Sequence, residues 1–424
     1  MPAILWLSKD LSFTTIHRTR QFPWKTLMTR CMIRAVLSLF ACFELLVFIG
    51  GARQVNAAEK EDLTPLLLSV ADAPAPFTGS DGRTHLAYEL WITNFSSGDA
   101  SIETVEVLGD GSVLHKMDAA EISPRLQPAG MRQSVGVLPK SSQALLFIHF
   151  DLAEGASVPR QLLHRVTARF AAAPPGHQEL TEQGGAISVD ARPILHIGPP
   201  LAGENYISAD SCCDATRHTR AALPVNGRVW LAQRYAVDWE QLDKDHRIYS
   251  GPREKLESYT IFGRPVLAVA DATVVSVREG QPEQTPGKYP TDISLDAADG
   301  NSVVLDLGEG HYAVYAHMQP GSIKVRPKEK VMRGQMLGLV GNTGNSVAPH
   351  LHFQLTDGPS SLASNGMPYE VDGFQVTGHT PGTEAFDHAE ETGAPLAITA
   401  ISPPQPVSNG LPLDQLVIAF PATR

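Results

Sequence analysis

Short runs of alternating apolar and polar residues, separated by glycine-rich turns, constrain the first half of this chain most. Four such runs occur, at residues 85–93, 102–108, 143–150 and 164–170. Alternation with a period of two places the apolar side chains on one face of a β-strand. Several short strands at turn-separated intervals predict an immunoglobulin-like β-sandwich in residues 58–195.

The following part of the chain also has the composition of strands. Residues 263–271 are apolar on both faces, as a buried strand would be, and a second β-rich domain is predicted at residues 196–375. Residues 376–424 show no periodicity and are expected to form a loose tail. One strand within residues 411–420 is the exception, because it could return to one of the domains. The fold class is therefore all-β.

The amino end has the features of a secretory signal. Two arginines precede the apolar run 35–51, and residues 55–57 (Val-Asn-Ala) offer a small-residue cleavage site before Ala58. We predict that residues 1–57 contain a signal peptide, with translation starting at Met28 or Met32, and that the mature protein is periplasmic or secreted. An uncleaved membrane anchor is the alternative; otherwise contact with a membrane is expected only through the export signal.

Charge and cysteine content exclude some classes of protein. A formal net charge of −11 provides no basic excess to neutralise phosphates, so general nucleic-acid binding is excluded. Outside the predicted signal the only cysteines are the adjacent Cys212 and Cys213, which form no disulfide framework. Two buried thiols are the preferred interpretation, and a vicinal disulfide is the alternative.

Three histidines lie in runs that have the composition of buried strands. His317 ends the run Tyr-Ala-His, and His350 and His352 lie in the run Pro-His-Leu-His-Phe. Residues two apart on a strand point to the same face and are separated by roughly 6–7 Å. One imidazole could then hold a metal while the other faces a water or substrate bound to it.

These runs, with others around them, resemble the lysostaphin/LytM-type zinc metallopeptidases of peptidase family M23. Residues 263–272 are similar to the strand-and-turn signature of that family, with Ala272 where glycine is usual. Residues 315–317 resemble its first catalytic-histidine motif, and residues 333–353 resemble its C-terminal core. The similar region spans residues 225–357, and it implies that the second domain is an antiparallel-β LytM/M23 peptidase domain.

The resemblance also implies a site and an activity. Family members hold one zinc ion through a His and an Asp four residues apart and through the second His of His-x-His. Asp238 and His352 match two of these ligands, and His317 and His350 match the two non-ligand histidines, which would serve as base and transition-state stabiliser. The implied function is that of an exported zinc metalloendopeptidase that cleaves peptide cross-links of bacterial peptidoglycan.

One position departs from the family pattern. Arg234 stands where the first zinc-binding histidine is expected, and arginine stays protonated with no lone pair for a metal. Three explanations are open: His218 or His246 is the third ligand; Asp238 and His352 bind zinc weakly with waters; or the domain is catalytically degenerate. In the third case it would bind cell wall or activate a separate cell-wall hydrolase, with Arg234 paired to Asp238.

A charged, turn-rich segment follows Asp238. Residues 242–256 are longer than the usual connection of the family at this point. Because loops beside a site often set specificity, this segment could form part of a cleft wall. A solvated excursion is the equal alternative.

Overall fold

Two five-stranded sheets enclose the apolar core of the first part of the chain. The computed structural model describes residues 63–422, so the predicted signal peptide lies outside the described residues. The elements are β1 (Leu66–Ser69), β2 (Phe77–Thr78), β3 (Thr84–Asn94), β4 (Ala100–Gly109), β5 (Ser112–Asp118), α1 (Ala119–Ile122), β6 (Leu126–Pro128), β7 (Val137–Leu138), β8 (Gln143–Asp151), β9 (Gln161–Phe170) and β10 (Glu179–Ser188).

The strand order of this sandwich puts the four strands predicted from alternation at its centre. One sheet runs β1-β3-β8-β6 with β2 beside β3, and the other runs β10-β9-β4-β5 with β7 beside β4. Leu90, Val105, Leu146 and Val166, one from each of the four strands, are fully buried between the sheets. The two-sheet arrangement is as expected from the pattern, and its immunoglobulin-like classification stays a prediction.

The second part of the chain is organised around one eleven-stranded sheet, the main sheet. Its order is β20-β17-β18-β19-β22-β15-β12-β27-β25-β26, with β23 beside β22, and all its pairings are antiparallel. The elements are β11 (Leu195–Ile197), β12 (Gly203–Ala209), β13 (Leu223–Val225), β14 (Arg228–Trp230), β15 (Val237–Gln241), β16 (Pro265–Leu267), β17 (Ala272–Arg278), β18 (Asn301–Gly308), β19 (His311–Met318), β20 (Lys330–Val331), β21 (Met336–Leu339), β22 (Leu351–Thr356), β23 (Gly366–Met367), β24 (Tyr369–Val371), β25 (Phe374–His379), α2 (Thr383–Thr392), β26 (Thr399–Val407) and β27 (Leu416–Phe420), with 3-10 turns at Leu256–Ser258 and Leu295–Ala297.

The expectation of a loose tail is wrong for the described residues after 376. Strands β25, β26 and β27 extend the main sheet, and α2 buries Phe386 and Ala389. Strand β26 was not predicted from the sequence, because its three prolines interrupt the strand pattern. Prolines are tolerated there since β26 is an edge strand. The strand expected within residues 411–420 is present as β27. No helix in the described part of the chain is long and apolar enough to cross a membrane.

Two further expectations need correction. Residues 263–271 form only the short strand β16, which pairs with β21 outside the main sheet. Cys212 and Cys213 are joined by a disulfide, so the preference for two buried thiols is wrong. Both cysteines are buried in the core of the main sheet, and no spacing rule separates a vicinal disulfide from a thiol pair in a sequence.

A buried ion pair joins the sandwich to the second domain. The guanidinium of Arg234 donates from Nε to Glu89 Oε1 (2.9 Å) and from Nη2 to Glu89 Oε2 (2.6 Å). Both residues are only 5% exposed. Beside them, the Tyr235 hydroxyl donates to the carbonyl oxygen of Ala87 on β3. Because a buried charge is tolerated only with a well-placed partner, this forked contact fixes the outer face of β3 against the second domain.

We therefore predict that Glu89→Leu destabilises the protein by about 3–5 kcal/mol, since it leaves a buried guanidinium unpaired. The double variant Glu89→Leu/Arg234→Met should recover most of that loss, because it removes both charges. Urea unfolding measures both free energies.

The matched control is Glu103→Gln, which breaks an exposed pair with Arg169 and should cost only about 0–1 kcal/mol. If Glu89→Leu costs no more than this control, the ion pair does not hold the two domains together.

Candidate metal centre

Adjacent strands of the main sheet bring the predicted site residues together. Strand register sets Asp238 of β15 opposite His352 of β22, and His352 opposite Ala316 of β19. Strict alternation would therefore turn His317 to the other face. Instead, His317 has a left-handed φ of 59°, which is uncommon for a residue other than glycine. Its ring lies 4.7 Å from that of His350, between centroids.

A fourth imidazole comes from the segment that follows β12. His218 is 4% exposed, and its ring stands perpendicular to that of His352 with centroids 4.8 Å apart. Its Nε2 lies 3.4 Å from Asp238 Oδ2. His218 thus brings an imidazole nitrogen close to the Asp238 carboxylate, although Arg234 stands at the expected ligand position.

Each of the four imidazoles donates one N–H to a carbonyl oxygen at the periphery of the site. The pairs are His218 Nδ1 to Asp210 O (2.9 Å), His317 Nδ1 to Thr343 O (2.7 Å), His350 Nδ1 to Ala348 O (2.8 Å) and His352 Nε2 to the Gln354 side-chain Oε1 (2.9 Å). The Gln354 amide is oriented by donation from its own Nε2 to the carbonyl of Ser361. Because carbonyl oxygens only accept, the inner nitrogen of each neutral ring carries a lone pair.

This tautomer pattern shows that the donor set fits a cation. His352 Nδ1 lies 2.8 Å from Asp238 Oδ1, so in the neutral ring two acceptors face each other. A proton or a metal ion must therefore lie between them. One donor atom each from His218, Asp238 and His352 falls within 4.8 Å of the others. Zinc held tetrahedrally by N and O at about 2.0–2.2 Å requires donors about 3.4 Å apart, which this set can meet.

A second set of three donors overlaps the first. His317, His350 and His352 also offer nitrogens that lie within 4.8 Å of one another. The first set includes a carboxylate, which would neutralise half the charge of a divalent ion, whereas the second is wholly neutral. The carboxylate-containing set is therefore the better metal site.

The electrostatics of the site favour an ionised carboxylate and a neutral His317. Burial alone would raise the pKa of Asp238, but His218 and His350 hold it well below its usual value. Burial would lower the pKa of His218, yet the Asp238 charge raises it to about 9. Burial, together with His350 and His352, holds the pKa of His317 well below its usual value. A neutral His317 can accept a proton.

The structure bears on the alternatives for position 234, where the family resemblance implies a zinc-binding histidine. Arg234 does not pair with Asp238, because its guanidinium is bound to Glu89. His246 lies in a turn with φ of 59° and belongs to neither group of metal-capable side chains found in residues 63–422. His218 belongs to one of them. The signal for His218 in the sequence was weak, since it lies twenty residues before Asp238 with no fixed spacing.

The segment 242–256 packs three apolar side chains beside the site, while residues 244–246, 250–252, 254 and 255 are exposed. Leu242, Ile248 and Tyr249 are buried in one apolar cluster with Phe386 of α2. The same cluster contains Ala348, whose carbonyl accepts from His350. Segment and helix together form a layer against the site face of the main sheet.

Comparison with known proteins identifies part of this domain. Residues 258–364 match the model of Peptidase family M23. The chain is 45% identical over 177 residues to peptidoglycan DD-endopeptidase ShyA of Vibrio cholerae, which covers 38% of this chain and 37% of that protein. It is 34% identical over 165 residues to an uncharacterized metalloprotease of Haemophilus influenzae, covering 38% and 34%. It is 30% identical over 125 residues to glycyl-glycine endopeptidase ALE-1 of Staphylococcus capitis, covering 29% and 30%. The chain thus spans about a third of the length of these relatives.

Proposed function

Because the chain carries a domain of peptidase family M23, we propose that it is a zinc metalloendopeptidase that cleaves peptide cross-links of bacterial peptidoglycan. The observation that carries this proposal is the convergence of His218, Asp238 and His352 within metal-binding distance. The relatives named for peptidoglycan and glycyl-glycine endopeptidase activity support the class of substrate. Such a substrate suits the predicted export to the periplasm or the outside.

The proposed ligands are Asp238, His352 and His218, with His218 supplying the imidazole that position 234 lacks. The peripheral hydrogen bonds to Asp210 and Gln354 fix both rings with a lone pair turned inward. Three protein ligands leave a fourth position open. A zinc ion bound there would supply Lewis-acid polarisation of a carbonyl group and would acidify a water.

His317 and His350 are the proposed proton-transfer and transition-state residues. Each donates from Nδ1 to a backbone carbonyl, so each turns Nε2 away from that bond, and Nε2 of His350 lies 3.4 Å from Asp238 Oδ1. One of them takes a proton from the attacking water and returns it to the leaving amine. The other, once protonated at its inner nitrogen, donates a hydrogen bond to the developing oxyanion.

The competing proposal is a non-catalytic module that binds cell wall or activates a separate cell-wall hydrolase. Arg234 at the usual ligand position favours it, since a degenerate domain would lose that ligand first. The position of His218 favours the enzyme, because it supplies another donor nitrogen 3.4 Å from Asp238 Oδ2. Metal binding and hydrolysis separate the two.

We expect the metal-stripped protein to bind about one zinc ion per chain, and we expect both His218→Ala and His352→Ala to weaken binding by more than about 100-fold, since each removes a direct ligand. Competition with a chromophoric chelator measures the affinity.

The matched control for the zinc measurement is His246→Ala, which removes a nearby histidine that belongs to neither donor group. Its affinity should equal that of the unmodified protein. A His218→Ala variant that binds zinc as tightly as the control would remove His218 from the ligand set.

His317→Ala and His350→Ala should each retain zinc yet lower kcat by about 10²–10⁴-fold, the usual contribution of a positioned acid–base group. Release of soluble peptide fragments from purified peptidoglycan measures the rate. His311→Ala, on the same strand as His317 but far from Asp238 in register, is the control and should keep full activity. Absence of hydrolysis by the zinc-loaded unmodified protein would favour the non-catalytic module.

A further inference from the structure

A forked arginine holds the segment that carries His218. Arg217, the residue before the proposed ligand, donates from Nε to Asp210 Oδ2 (2.5 Å). Its Nη1 and Nη2 donate to the two carboxylate oxygens of Asp387 on α2 (3.0 and 2.8 Å). Because the planar guanidinium fixes the direction of both partners, these contacts set the chain around His218 against the helix.

Asp210 links this clamp to the ligand itself. Its carbonyl oxygen accepts the hydrogen bond from His218 Nδ1 (2.9 Å), and Nε2 of the same ring lies 3.4 Å from Asp238 Oδ2. Asp210 has a left-handed φ of 53°, which costs free energy for a residue other than glycine and persists only where surrounding contacts hold it. Its Oδ1 has no partner within residues 63–422, so Arg217 is the side chain that holds this carboxylate.

The two arms of the clamp differ in burial. The side chain of Asp210 is 6% exposed, whereas that of Asp387 is 46% exposed. An ion pair that lies partly in water contributes little to stability, so the outer arm is not needed to hold the fold together. Its geometric effect remains, because it fixes the plane of the guanidinium whose Nε meets Asp210.

The chain just before β27 holds the same segment from another direction. Ser211 donates from its backbone N to Asp414 Oδ1 (3.1 Å) and from Oγ to the carbonyl oxygen of Pro412 (2.5 Å). These two partners and α2 all lie beyond residues 258–364, the region that matches the family model. The carboxyl-terminal part of the chain thus supplies contacts that hold the His218 segment in place.

We propose that Arg217 is a positioning residue for the metal ligand His218, which it ties to helix α2 through Asp210 and Asp387. The inference rests on the proposed function, because it takes His218 to be a zinc ligand. Arg217 acts at one remove from the metal: it fixes Asp210, and the Asp210 carbonyl fixes the imidazole. Without the clamp, Asp210 is free to leave its left-handed conformation, and the ring loses the acceptor that aims its Nε2 at the site.

The test measures the zinc affinity of the purified protein by competition with a chromophoric chelator. We expect Arg217→Gln to weaken zinc binding by about 10–100-fold, the usual effect of removing a residue that orients a ligand. Asp387→Ala should weaken it by less, about three- to ten-fold, because the inner arm to Asp210 remains. Asp387→Glu keeps a carboxylate on α2 and should restore most of that loss.

The matched control is Glu384→Ala, which removes an exposed carboxylate from the same helix and should leave zinc affinity unchanged. The double variant His218→Ala/Arg217→Gln separates positioning from a general loss of structure. If Arg217 acts only through His218, adding Arg217→Gln to His218→Ala changes the affinity by no more than about two-fold. A general loss of structure would instead weaken binding equally with and without His218.

Cobalt(II) in place of zinc gives a second measurement. The visible absorption spectrum of the cobalt-loaded protein reports the donor set and its geometry. The spectrum of Arg217→Gln should move towards that of His218→Ala, because both lose the same imidazole. Asp387→Glu and Glu384→Ala should keep the spectrum of the unmodified protein.

Zinc affinity of Arg217→Gln equal to that of the control, or an equal loss with and without His218, would overturn the positioning role. If Arg217→Gln does not fold, the partly exposed change Asp387→Ala decides in the same way. The proposed function fails by other results. If His218→Ala binds zinc as tightly as the unmodified protein, the ligand set is wrong and the positioning role falls with it. If the affinities are as expected but no peptidoglycan is hydrolysed, the positioning role stands and the peptidase does not.

Discussion

The buried carboxylate of Asp238 is the group on which the rest of the site depends. In their neutral forms His352 and His218 turn unprotonated nitrogens towards its oxygens, because the opposite nitrogens donate to Gln354 and Asp210. Acceptors brought this close repel one another unless a cation is shared among them. The register of the main sheet and the peripheral hydrogen bonds therefore act together to make a cation site, and neither would do so alone.

Arg234 and His218 make different contacts from those that the family pattern implies for position 234. A side chain at 234 lies four residues before Asp238, where the family resemblance implies a ligand. Here that side chain is an arginine, and its guanidinium is bound to Glu89 of the sandwich. The third proposed donor comes instead from His218, whose Nε2 lies 3.4 Å from Asp238 Oδ2. In this chain the side chain at position 234 joins the two domains.

The features that could be predicted from the sequence are those set by residues close together in the chain. The central sandwich strands and the shared location of His350 and His352 followed from period-two alternation and from motif. What escaped prediction depends on distant contacts: His218 has no fixed spacing from Asp238, and Glu89 is 145 residues from Arg234. Strand β26 escaped because edge strands tolerate prolines that a central strand would not.

The region that matches the family model contains only part of the proposed site. Residues 258–364 contain both proposed proton-transfer histidines and one proposed ligand, His352. Asp238 and His218 lie before that region. The layer made by residues 242–256 and α2 covers the site face beside Ala348. Both proposed proton-transfer residues thus lie within the matched region, whereas two of the three proposed metal donors come from the part of the chain before it.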